Sequence, residues 1–124
     1  MTPVVDDQLA AVLREIAEIE ATPGFEGPKI GRKLQLIRIS SPKRHGDDGE
    51  EVFEDRLAGW VGRACDARGW ALKMDGSYGD EEPYFVSVVV SCHPNHYKSH
   101  DVWGQSRALA AARAYLEAIT ETTK

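Results

Sequence analysis

Cysteine is nearly absent from this sequence: its 124 residues contain two, Cys65 and Cys92, with no CxxC spacing. That scarcity excludes a disulfide-stapled scaffold. Cys65 falls in a helical pattern and Cys92 ends a strand pattern, so both read as small buried hydrophobes in a reducing cytosol, a bond between them being the lesser alternative. Long apolar runs are also missing. None, the stretch around Val86 to Val90 included, approaches the roughly 20 residues that cross a bilayer. The segment from Met1 to Asp7 is acidic and lacks a basic flank leading into an apolar core, so no secretory signal is expected and the protein reads as cytoplasmic. Basic residues are outnumbered, 15 Lys and Arg against 20 Asp and Glu, for a formal charge of -5. That balance argues against a chain built to coat DNA or RNA. A nucleophile elbow, a phosphate loop and a catalytic carboxylate pair are all lacking, and no cofactor is implied.

What remains is a globular composition, 42% hydrophobic and 28% charged, sized for one domain over residues 1–124. Leu9, Val12, Leu13, Ile16 and Ile19 recur at helical spacing and predict a helix over 6–21, with Asp6 or Asp7 as its cap. With its linker to residue 28, this helix can stand as an appendage. Residues 28–40 fit two periods. Leu34 and Leu36 alternate as in a strand, whereas Ile30, Leu34 and Ile37 suit a helix; the strand is the expectation.

A core of α-β-β-(β)-α order is expected over 50–120. Phe53, Leu57, Trp60, Val61 and Ala64 stripe a helix from about Glu50 to Arg68, and Gly69 sits at its left-handed C-cap. Trp70 to Met74 and Tyr84 to Cys92 alternate as strands, and a third can lie within 97–103. Ser106 caps a last helix carrying Leu109, Ala112, Leu116 and Ile119 inward. The fold class is therefore α+β, a small antiparallel sheet of three or four strands against two or three helices. Trp103, Tyr78 and Tyr97 fall in or near loops, where packing of Trp103 on the last helix competes with a role as interface anchor.

Two polar clusters can carry function. His93, His96, His100 and Asp101, close to Cys92, have the side chains of a zinc site, and Asp101 could orient a histidine as general base. The spacing matches no structural zinc pattern, so a polar hairpin is the stronger reading and no metal is assigned. The second cluster is a charge dipole. Lys29, Arg32, Lys33, Arg38, Lys43 and Arg44 run without an acid. Asp47, Asp48, Glu50, Glu51, Glu54 and Asp55 follow at once. A solvated surface and a dipole-matched helix start are one reading of this pattern. The other is a protein partner held through charged patches, or a phosphate backbone on the basic stretch.

Two resemblances bear on residues 50–120. The element order, with Gly104-x-Ser106-Arg107-x-x-Ala110-x-x-x-Ala114, resembles a double-stranded RNA-binding domain, but Ala108 and Ala111 stand where that family's phosphate-binding lysines are expected. Ala58-Gly59-Trp60-Val61, Gly69-Trp70 and the Ala- and Arg-rich run from Ala108 to Tyr115 resemble small phage proteins of ABA-sandwich layout. That second resemblance implies a non-enzymatic phage or mobile-element accessory protein in the host cytoplasm. It would bind and inhibit a host protein, CRISPR machinery included. The sequence itself leaves the oligomeric state open, a dimer included.

Overall fold

The computed structural model describes the backbone of residues 5–25, 27–40, 47–75, 84–93 and 96–123, and the side chains of 7–25, 27–39, 55–74, 84–90 and 98–122. Four helices and three strands follow in the order α1 (Val5–Glu20), α2 (Gly31–Ser40), α3 (Asp47–Ala67), β1 (Ala71–Asp75), β2 (Tyr84–His93), β3 (His96–Gly104) and α4 (Arg107–Thr123) among the described residues. The strands form one antiparallel sheet of order β1-β2-β3. The α+β class holds, with one helix more than expected.

That extra helix corrects the strand expected at 28–40. The helical period prevails because Ile30, Leu34 and Ile37 are buried to 4%, 0% and 2% exposure. Its first turn is closed from a distance. The two carboxylate oxygens of Glu20, at the end of α1, accept the N–H groups of Ile30 and Gly31, each at 2.8 Å. Glu20 is itself only 3% exposed, so the cap is charge-assisted and shielded from water. Gly31 permits this junction, since a Cβ there would lie 2.8 Å from the Ala17 Cα. Leu36, which suggested the strand alternation, points outward.

Helix α1 begins at Val5, so Asp6 and Asp7 are first-turn residues rather than caps. Its Leu9, Leu13 and Ile16 join the same buried cluster as the sheet, so α1 does not stand off as an appendage. Arg113 of α4 donates to Gln8 at 2.8 Å, tying the two helices at their rim.

Helix α3 starts three residues earlier than the sequence suggested. It ends as expected: Gly69 takes a φ of 77°, with Trp70 N–H bonded to Cys65 O (2.8 Å) and Gly69 N–H to Asp66 O (3.0 Å). This is the Schellman pattern, which satisfies carbonyls a helix otherwise leaves unpaired. Helix α4 is capped by the Ser106 hydroxyl, which accepts the Leu109 N–H at 3.1 Å. Its alanines, Ala108 and Ala110 to Ala112, are fully buried and let it lie close to Val86, Val88 and Val90. Leu72 meets α3 on the same side, where a Cβ added at Gly62 would lie 3.6 Å from it. Helices α3 and α4 thus cover one face of the sheet, and α1 and α2 pack behind them.

Cys65 is free and buried, and burial above all, then Asp66, pushes its thiol up to about 12. Such a thiol is inert. Cys92 lies outside the described side chains. Among the described residues, no helix is long and apolar enough to cross a membrane.

Candidate functional site

Strand β3 decides what the histidine cluster can do. Successive side chains on a strand point to opposite faces, so His100 and Asp101 part company. His100 turns toward α4 and is 7% exposed, its Nε2 3.5 Å from Glu121 and its Nδ1 3.9 Å from Glu117. Lys98, on the same side, also pairs with Glu121. Asp101 turns to the other face and accepts a 2.6 Å hydrogen bond from the Ser87 hydroxyl. The two cannot share an ion, and Asp101 does not orient His100. The side chains of His93 and His96 lie outside the described residues. Among the described residues, no three His, Cys, Asp or Glu side chains are grouped as a metal ion requires. His100 instead fastens β3 to the last turns of α4.

An open cleft of about 550 Å³ lies between Asp55, Ala58 and Gly59 of α3, Met74 of β1, Tyr84 to Val86 of β2 and Arg107 of α4. Arg107 bridges to Asp55 at 3.4 Å and stands 6.0 Å over the Tyr84 ring. Among the described residues the lining is mainly apolar and carries neither a histidine nor a Ser or Cys nucleophile beside a base.

The described part of the charge dipole lies on two helices. Lys29, Arg32 and Lys33 are exposed around the start of α2, and Arg38 is half-buried on it. Lys43 and Arg44 lie outside the described residues. Asp47, Asp48, Glu50, Glu51 and Glu54 fall in the first two turns of α3 by backbone, their side chains outside the described set. Asp55, the last of the acids, is engaged by Arg107.

What sequence reasoning missed lies between those charges. Leu36 and Ile39 are 61% and 70% exposed on the outer face of α2. Arg32 precedes them on that face at i, i+4 and i+7 spacing. Beside them, Trp60 of α3 is half-buried, with Lys33 Nζ 5.1 Å and the Arg63 guanidinium 5.0 Å from its ring centroid. Arg56, one turn before Trp60, is exposed on the same side of α3. Two aliphatic side chains therefore stand exposed next to Arg32 and Lys33, on a helix whose start is fixed by Glu20. A strand reading of 28–40 concealed this, because it assigned Leu36 to the core.

Under this surface sits a second cationic stack. The Arg68 guanidinium lies 4.8 Å from both the Phe25 and Trp70 ring centroids, and Trp70 meets Tyr115 at 6.4 Å. Burial pushes the Tyr115 hydroxyl up to about 12, with the Arg68 charge opposing the rise. This stack cements the core beneath α1 and α2.

No protein-family model, curated protein or solved structure matches this chain.

Proposed function

We propose that this chain is a non-enzymatic binding module that holds an acidic protein surface on the outer face of α2 and the adjoining edge of α3. One observation carries the reading. Leu36 and Ile39 stand exposed on α2, with Arg32 and Lys33 one turn before Leu36, and Lys33 reaches the Trp60 ring, over which Arg63 also lies. An apolar centre with a charged margin is the anatomy of a protein interface, in which the centre supplies affinity and the rim steers encounter. The narrower form, a phage-encoded inhibitor acting on a host defence protein in the cytoplasm, rests on the resemblance of residues 58–61, 69–70 and 108–115 alone.

The cations also suit nucleic acid, and that is the second reading. Trp60 weakens it, because its ring is already taken by Lys33 and Arg63 and is no free platform for base stacking. Immobilised protein challenged with host lysate at about 50 mM and about 500 mM salt separates the readings when duplex RNA and DNA are titrated in parallel. The proposal expects a protein retained at low salt, partly resisting high salt through the apolar centre, and no duplex binding. Duplex binding that collapses with salt, and no protein retained, would replace it with the second reading.

A further inference from the structure

The sheet face turned away from the helices carries a pattern that points to a second copy of this chain. The register aligns Lys73, Ser87 and Asp101 in one row across the three strands, flanked by the row Asp75, Phe85 and Trp103 and the row Ala71, Val89 and Ser99. No described helix packs on these residues. An antiparallel sheet can leave one face to water, but that face is normally polar. Here Phe85 and Trp103 stack at 4.9 Å with their rings tilted by 52°, and Trp103 remains 45% exposed. Trp103 thus points away from α4, and packing on the last helix is not its role.

The charges of the central row say what fits. Lys73 lies on one edge strand, Asp101 on the other, and Ser87 between them holds Asp101 in place at 2.6 Å. A partner bearing one sign of charge would be repelled by one end of this row, and a phosphate chain by Asp101 beside Trp103. A second copy turned about a two-fold axis parallel to β2 sets each Lys73 over the other copy's Asp101, twice over. It also sets Phe85 against Phe85, Val89 against Val89 and, by register, Trp103 against the Asp75 position of the other copy. Sheets pack face to face about 10 Å apart and rotated by about 30°. Residues one strand from the axis move only about 2–3 Å under that rotation, within reach of a lysine side chain.

We propose that this face is a self-complementary dimer interface, closed by two reciprocal Lys73–Asp101 pairs around the Phe85 and Trp103 rings. Three strands about 4.8 Å apart and five residues long give a footprint of only about 14 by 17 Å, below that of a standard interface. The dimer is accordingly weak and is populated only at high protein concentration. This inference is independent of the proposed function, whose surface lies on α2 and α3.

Sedimentation equilibrium of the full chain up to about 1 mM, at low salt, tests it. The wild type should dimerise. Lys73→Glu, an exposed substitution that leaves the fold intact, should raise Kd about tenfold or more, and Trp103→Glu should abolish association. The double variant Lys73→Glu with Asp101→Lys should return Kd to within about threefold of wild type, because both reciprocal pairs are restored with inverted sign. A wild type that stays monomeric overturns the proposal. So does a dimer indifferent to Lys73→Glu, or a double variant no better than the single ones while thermal unfolding shows it folded.

Discussion

The corner formed by α1 and α2 and the unit running from α3 to α4 are held in opposite ways. From residue 47 onward, among the described residues, local signals mark the element boundaries. Gly69 ends α3, Ser106 opens α4, and strict alternation marks β2. In the corner, the N-terminus of α2 has no cap of its own and borrows Glu20 from ten residues back. Local signals make a segment readable and robust to a single change, whereas a borrowed cap concentrates stability in one side chain.

The largest break of that symmetry should come from Glu20→Ala. It strands two buried N–H groups and should cost about 3 kcal/mol in denaturant unfolding, with the loss of helix signal centred on α2. Glu20→Gln should recover part of it, since an amide oxygen still accepts one bond. A cost below about 1 kcal/mol would show that packing alone orders α2.

Alkaline unfolding sharpens the comparison next, since the groups concerned lie under the corner. Cys65 and Tyr115 are raised from 9.0 and 10.0 to about 12 each by burial. Below pH 9 both are protonated whether the chain is folded or not, so neither adds a pH slope. Between about pH 9 and 12 the unfolded chain gives up these protons while the folded one retains them, so stability should fall as pH rises. Tyr115→Phe should remove the tyrosine share of that slope, a change visible only above about pH 10.

On the other side of the comparison, Ser106→Ala removes a local cap and should cost only about 1 kcal/mol by the same unfolding measurement. The smallest effect should carry the opposite sign. Gly59 sits mid-helix, and a Cβ there would meet no atom within 4 Å. Gly59→Ala should therefore stabilise α3 by about 0.5–1 kcal/mol, read as a rise in Tm.

The same contrast explains how much was legible in the sequence. The element order from α3 to α4, the Gly69 terminus, the Ser106 cap and the alternation of β2 follow from signals within a few residues of where they act. Helix α2 did not, because its decisive partner, Glu20, is distant in sequence, and because the exposed Leu36 and Ile39 mimic core residues. Composition cannot tell an aliphatic residue kept for a partner from one kept for the core. The histidine cluster misled for a related reason. Adjacent positions such as His100 and Asp101 look like neighbours in sequence, yet the pleat sends them to opposite faces.

The central claim is that the exposed face of α2 is the binding surface, and paired capture from one lysate tests it most directly. Leu36→Asp with Ile39→Asp changes only exposed positions, and Lys73→Glu alters the sheet face instead. The account predicts that the first variant, folded by circular dichroism, loses the protein retained by the wild type, while the second keeps it. Equal retention by both variants would contradict it.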